Sequence, residues 1–134
     1  MLKPMKVLMI YLALMPLEVT ADQLIQDLMN QPVPLTRSGE QPSLDQVQLA
    51  IIAGCRIKGW SPVEADDYRV RASILVRGRH YAEVEIPYSR ESYSIIYKNS
   101  RNLDYDAKKR KIHRNYNKWV VLLSRAIQGE FAFY

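Results

Sequence analysis

The sequence contains a single cysteine, Cys55, among 134 residues. One cysteine excludes an intramolecular disulfide framework and any cysteine-rich metal site. The sequence also lacks a glycine-rich cofactor loop, a cluster of metal ligands and a recognisable catalytic motif. We therefore expect no cofactor and no metal, and we predict that Cys55 is a buried, unreactive thiol on the apolar side of a helix.

Only one long apolar run is present, at residues 7–17, and it is too short to cross a bilayer comfortably. Lys3 and Lys6 precede it, and small residues follow it. This order is typical of a secretory signal. We predict cleavage between Ala21 and Asp22 and export to the periplasm, with no transmembrane segment after cleavage. The alternative is a buried N-terminal helix of a cytoplasmic protein.

Positive charge is concentrated in one part of the chain. Loss of the predicted signal leaves a formal net charge of +4. Residues 101–118 alone carry seven basic side chains against two aspartates, so the rest of the mature chain is close to neutral. The basicity is therefore a patch and not a general property of the surface.

The chain divides into a signal peptide at residues 1–21, an N-terminal extension at residues 22–42 and a single domain at residues 43–134. Residues 22–29 have apolar side chains at helical spacing, which predicts about two turns of amphipathic helix. Prolines interrupt the chain from residue 30 to residue 42, which predicts an extended linker.

The first helix of the domain is marked at both ends. Ser43 and Gln46 form a capping-box pattern, and Gly59 predicts the end after Lys58. Small residues on the apolar side, Gly54 among them, would allow close approach of a neighbouring element. Trp60 follows the stop and is expected to fold back onto the core.

Three strands with alternating apolar and polar residues follow, at about 68–74, 81–88 and 93–98. A four-residue turn between the second and third strands predicts that Tyr88 pairs with Tyr93, Val84 with Tyr97, and Glu83 with Lys98. The three apolar faces then coincide.

The hairpin between the first two strands is predicted to turn at residues 76–78, with Gly78 in the left-handed conformation. This turn places Val70 opposite Val84. It also places Arg71 opposite Glu83 and Arg69 opposite Glu85.

The last helix is predicted to begin near residues 113–115 and to end by Gln128, before Gly129. Its apolar stripe consists of Tyr116, Trp119, Val120, Leu123 and Ile127. Together these elements predict an α+β fold of two layers: a helix, a three-stranded antiparallel meander and a second helix, with both helices on one sheet face.

Four segments resemble a family of small exported bacterial envelope proteins, many of them lipoproteins, that has no established activity. They are residues 51–60, Tyr-Ser-Ile-Ile-Tyr at 93–97, Ser-Arg-Asn-Leu-Asp-Tyr at 100–105, and Ile-His-Arg-Asn-Tyr-Asn-Lys-Trp at 112–119. The resemblance implies a periplasmic, envelope-associated domain without a known cofactor, and it carries over no catalytic residue. This chain differs in lacking a cysteine for lipid attachment after the apolar run.

A polar corner joins the last strand to the last helix. Its members are Ser100, Asn102, Asp104, His113 and Asn117, with Asn115 beside them. One interpretation is a small recognition site in which His113 titrates near neutral pH. The other is that these groups cap the helix and fix the loop, as Asn and Asp commonly do. A nucleophilic triad of Ser100, His113 and Asp104 can be written, but no motif supports it.

A basic patch lies beside the corner, at Lys108, Lys109, Arg110, Lys111 and Arg114. It is either a solvated loop or a binding site for anionic lipid or glycan. Export makes nucleic acid an improbable partner. The sequence thus predicts a non-enzymatic binding or structural module of the envelope, with an unknown envelope protein or anionic polymer as its partner. The alternatives are a basic-patch adaptor for anionic lipid or glycan, and an enzyme that uses the His113 corner.

Overall fold

The structure is a computed structural model that describes residues 2–4, 22–65 and 67–134. The predicted signal peptide lies almost entirely outside these residues. The strands are β1 Asp22–Leu24, β2 Leu28–Pro32, β3 Ser61–Ala65, β4 Arg69–Val76, β5 His80–Pro87, β6 Ser92–Arg101 and β7 Lys111–His113. The helices are α1 Leu44–Ile57 and α2 Asn115–Glu130, and a short 3-10 helix, Phe131–Phe133, follows α2. The α+β class with two helices is confirmed.

The main sheet has five antiparallel strands in the order β2-β6-β5-β4-β3. The predicted meander forms its centre as β4, β5 and β6, but the prediction of a three-stranded sheet is wrong. β3 is added at one edge, although Pro62 weakens its strand pattern. β2 is added at the other edge, where Leu28 pairs with Ile95.

The predicted helix at residues 22–29 is also wrong, because these residues contribute to two strands. β1 pairs with β7 in a separate two-stranded sheet, with Asp22 opposite His113. Two turns of isolated helix are marginal in water. Pairing with β6 and β7 instead gives the backbone of this segment hydrogen-bond partners along its length.

The turn between β4 and β5 lies one residue later than predicted. Val76 pairs with His80, and both Arg77 and Gly78 have positive φ, 56° and 65°. Val70 therefore faces Ile86, and the predicted pairing with Val84 is wrong. Moving a turn by one residue shifts each partner by two, so the apolar faces still coincide and the sequence pattern does not separate the two registers.

Charged pairs on the outer sheet face change with this register. Arg71 faces Glu85 in place of Glu83, and Arg69 reaches Glu85 diagonally, with 3.1 Å between Nη1 and Oε1. The pairing of Val84 with Tyr97 is confirmed, as is that of Tyr88 with Tyr93. The pairing of Glu83 with Lys98 is wrong, because a bulge in β6 places Asn99 opposite Glu83.

Helix α1 begins and ends as predicted. The Ser43 hydroxyl accepts from the Gln46 amide, and the Gln46 side chain accepts from the Ser43 amide, so the capping box is confirmed. Gly59 has φ of +79° at the C-terminal stop. Trp60 is buried.

Helix α2 begins at Asn115, as predicted, but continues through Gly129 to Glu130. The predicted end before Gly129 is wrong, because the chain goes directly into the 3-10 helix and buries Phe131 against the Tyr93 ring. Trp119 is only partly buried at the edge of the core, whereas Tyr116 and Leu123 are fully buried.

Both helices pack against the apolar face of the main sheet. The Tyr93 hydroxyl on β6 lies 2.8 Å from the Ser124 hydroxyl of α2, and α1 contacts β3 and β4. The helices meet at Gly54, where the α1 backbone touches Ile127 of α2. Among the described residues, no helix is long and apolar enough to cross a membrane.

Candidate functional site: a basic surface beside the N-terminal segment

Asn117, a member of the predicted polar corner, holds the N-terminal segment against α2. Its side chain is only 6% exposed. Its Oδ1 accepts from the Gln26 amide at 3.1 Å, and its Nδ2 donates to the Leu24 carbonyl at 2.9 Å and to Gln23 Oε1 at 3.3 Å. The Oδ1 and both N–H groups of the Asn117 side chain are thus used within the fold, so Asn117 is a structural residue.

Asp27, which the sequence does not single out, links the N-terminal segment to the main sheet and to the basic patch. One carboxylate oxygen accepts from the Tyr97 amide at 2.9 Å, and the other accepts from Arg110 Nη2 at 3.2 Å. The Arg110 carbonyl also accepts from the Ile25 amide. Arg110 is therefore the member of the predicted patch that forms an ion pair, although its side chain stays 58% exposed.

Ser100 and Asn102 make local contacts at the end of β6. The Ser100 hydroxyl lies 2.7 Å from the Tyr97 hydroxyl. Asn102 has φ of 56°, its Nδ2 donates to the Arg79 carbonyl, and its own carbonyl lies 2.8 Å from His80 Nδ1. These contacts connect the end of β6 to the β4–β5 turn.

His113 is the last residue of β7, and its side chain caps the first turn of α2, which begins two residues later. Its Nδ1 accepts from the Asn115 amide at 3.2 Å, which satisfies one of the free amides of the first turn. Asp104 is exposed, and its carboxylate accepts no hydrogen bond from the described residues. Ser100 and His113 therefore have different partners, and the structure does not assemble the triad of Ser100, His113 and Asp104.

The basic loop is a tight turn organised by Asp106. Asp106 Oδ1 accepts from the amides of Lys108 and Lys109, and the backbones of Asp106 and Lys111 form an isolated antiparallel bridge. Their two backbone hydrogen bonds close the turn. The lysine side chains at 108 and 109 consequently project from a backbone that is already ordered.

The same charge continues along the outer side of α2. Arg114, Lys118, Val121 and Arg125 are spaced by four, three and four residues, which places them on one face of a helix. This face lies opposite the buried stripe. We define the basic surface as the six exposed residues Lys108, Lys109, Lys111, Arg114, Lys118 and Arg125. Within the described part of the chain, none of the six takes part in an ion pair.

The first four of these residues belong to the predicted patch, whereas Lys118 and Arg125 lie beyond it. Helical periodicity extended from Arg114 through α2 would have identified Arg125 on the same face. The role of Asp27 in neutralising Arg110 has no comparable sequence signal, because 83 residues separate the two.

Two depressions lie along α2 beside the basic surface. One, of about 330 Å³, is lined by Asn117, Lys118, Val121, Leu122 and Arg125. The next, of about 480 Å³, lies between β2 and α2 and shares Val121 and Arg125 with the first. Apolar side chains thus lie directly between cationic ones.

Buried ionisable groups lie away from this surface. Burial raises the pKa of Cys55 to about 12, so the thiol is neutral near pH 7. Burial also raises the pKa of Tyr116, with smaller contributions from Asp27 and Tyr97. Within the described residues, no group of three or more His, Cys, Asp or Glu side chains is placed to hold a metal ion.

Comparisons with protein-family models, curated proteins and solved structures give no match to this chain. The resemblance to exported envelope proteins therefore stays a prediction from the sequence.

Proposed function

We propose that the protein is an exported, non-enzymatic binding module of the cell envelope that binds an anionic envelope component through the basic surface. The main support is the basic surface: six exposed basic side chains that form no ion pair among the described residues. They lie on a turn and a helix whose backbones are held in place by the fold. A partner with closely spaced phosphate, sulfate or carboxylate groups supplies the complementary charge.

The contrast with Arg110 supports this proposal. Arg110 is in the same turn, but Asp27 neutralises it. Lys108 and Lys109, by contrast, form no ion pair with a described carboxylate. Asp106, the acidic residue nearest to them in the sequence, accepts hydrogen bonds from their backbone amides through Oδ1.

Export and envelope association are part of the proposal and are supported by the N-terminal charge and apolar pattern and by the family resemblance. The enzyme alternative depended on His113 as a free titrating group. The hydrogen bond from the Asn115 amide gives this side chain a capping role, which favours the binding module.

The proposal predicts that removing the patch charges weakens anion binding. The test variant changes Lys108, Lys109, Lys111 and Arg114 to Ala. Each basic residue near an anionic surface contributes about 1 kcal/mol, so we expect at least a tenfold loss of affinity for dextran sulfate and for phosphatidylglycerol vesicles. Binding is measured by co-sedimentation and by fluorescence anisotropy in low salt, and wild-type binding should weaken as salt is added.

The matched control removes four other exposed basic residues, at the end of α1 and in the β4–β5 turn. They are Arg56, Lys58, Arg77 and Arg79. This control has the same net charge as the test variant, and we expect it to lose less than threefold in affinity. Equal losses in both variants would show that only net charge matters. Absence of wild-type binding to both probes would refute the proposal.

A further inference from the structure

We propose that the outer face of α2 docks onto an anionic bilayer, with Val121 and Leu122 entering the headgroup region between Lys118 and Arg125. This inference depends on the proposed function and specifies its partner as a lipid surface. Three features of α2 support this inference: the sign of its charges, the exposure of two apolar side chains, and the position of these apolar side chains between the cationic ones.

The charge on this helix has one sign. From Arg114 to Gly129 the sequence contains no Asp or Glu, and the first acid is Glu130 at the C-terminal end. Arg114, Lys118 and Arg125 lie on the outer face over about three turns of helix. A row of cations without an interspersed acid matches a surface of phosphates rather than the mixed charge of an ordinary protein surface.

The apolar side chains on the same face are exposed. Val121 is 36% exposed and Leu122 is 42% exposed, although the opposite face of α2 already supplies the core with Tyr116, Leu123 and Ile127. Val121 and Leu122 thus lie outside the buried core and present part of their apolar surface to solvent. On the flanking segment, Leu24 and Met29 are also exposed.

The arrangement favours a bilayer over a soluble polyanion. A sulfated or phosphorylated polymer binds cationic side chains, but it makes no favourable contact with a valine and a leucine that lie between them. A bilayer surface offers phosphates for the cations and acyl chains a few ångströms deeper for the apolar pair. Lysine and arginine side chains are long enough to reach the phosphates while the shorter apolar side chains enter the boundary.

The experiment compares the double variant V121S/L122S with a matched control, L49S/V63S, which changes two exposed apolar residues on α1 and β3. Probes are phosphatidylglycerol vesicles, phosphatidylcholine vesicles and dextran sulfate. We expect V121S/L122S to lose about tenfold in affinity for phosphatidylglycerol vesicles and to bind dextran sulfate within twofold of wild type. The control should match wild type with every probe, and phosphatidylcholine should bind weakly.

The depth of insertion is measured with an environment-sensitive thiol probe on Leu122→Cys. The buried thiol of Cys55, whose pKa is raised to about 12, should stay unlabelled under native conditions. We expect a blue shift of the probe on phosphatidylglycerol vesicles and none for the same probe on Val63→Cys.

A V121S/L122S variant that binds phosphatidylglycerol vesicles as tightly as the wild type would overturn the inference. So would binding to dextran sulfate without binding to vesicles, a result that points to a soluble acidic polymer or protein and leaves the proposed function standing. Failure to bind any anionic probe would refute both proposals.

Discussion

Gly54→Ala is expected to destabilise the protein by about 3 kcal/mol or more, because α1 and α2 touch at this position. A Cβ at residue 54 would lie 2.6 Å from Ile127 Cγ1, 2.7 Å from its backbone nitrogen and 2.8 Å from its Cα. Two of these atoms belong to the backbone of α2, so a change of rotamer does not relieve the clash. The helices have to separate, and the packing around Val47, Ile51 and Leu123 is loosened with them.

Gly129→Ala is the matched control, because a Cβ at that position meets no atom within 4 Å and the residue is helical. Alanine is favoured over glycine in a helix by about 0.5–1 kcal/mol, so this variant should be neutral or slightly more stable. Urea denaturation followed by circular dichroism measures both. Equal midpoints for the two variants would show that the contact between the helices at Gly54 is not as close as described.

Asn117→Ala should destabilise the protein by about 2–3 kcal/mol. The change removes one acceptor and one donor that together hold Gln26, Leu24 and Gln23 to α2, and it leaves the Gln26 amide and the Leu24 carbonyl without these partners. Because β7 is the one described strand that pairs with β1, the N-terminal segment should detach locally before the rest of the fold opens.

Hydrogen–deuterium exchange distinguishes local detachment from general loss of stability. We expect faster exchange at residues 22–26 and 111–113 in Asn117→Ala, with little change in β4 and β5. Asn115→Ala is the control, because its side-chain amide makes no hydrogen bond within the described residues, and its stability should stay within about 0.5 kcal/mol of wild type. Unchanged exchange at residues 22–26 in Asn117→Ala would contradict the role given to this residue.

The features predicted well from the sequence are those set by neighbouring residues. The Ser43 and Gln46 capping box is complete within four residues, and the alternation of β4, β5 and β6 identifies each strand and its buried face. The small residue at position 54 also indicated a close helix contact. In each case the local pattern and the tertiary packing favour the same structure.

The errors arise where distant residues decide the local structure. Residues 22–24 and 28–32 form strands because β6 and β7 leave backbone groups to be paired, and no short window of sequence contains that information. The bulge opposite Glu83 and the two-residue register shift of the first hairpin both preserve the apolar faces, so alternation does not reveal them. β3 was missed because Pro62 interrupts its pattern at an edge of the sheet.

Some features of the candidate site could likewise be predicted from the sequence, whereas others depend on contacts between distant residues. The basic run at 108–114 is visible in the sequence, and the structure leaves all five of its basic residues exposed, four of them without an ion pair among the described residues. The ion pair between Arg110 and Asp27 depends on the fold, and so does the continuation of the positive charge along α2 to Arg125. The polar corner resolves into separate structural contacts, with Asn117 on the N-terminal segment, His113 on the helix start and Asn102 on the β4–β5 turn.

The most direct test of anion binding by the basic surface is to follow the backbone amide signals of ¹⁵N-labelled protein by NMR during titration with short dextran sulfate. We predict that the largest shifts occur at residues 106–118 and continue along the outer face of α2 to Arg125, and that added salt reverses them. Largest shifts in β4 and β5, near Arg69 and Arg71, or no shifts at low salt, would contradict the proposed binding surface.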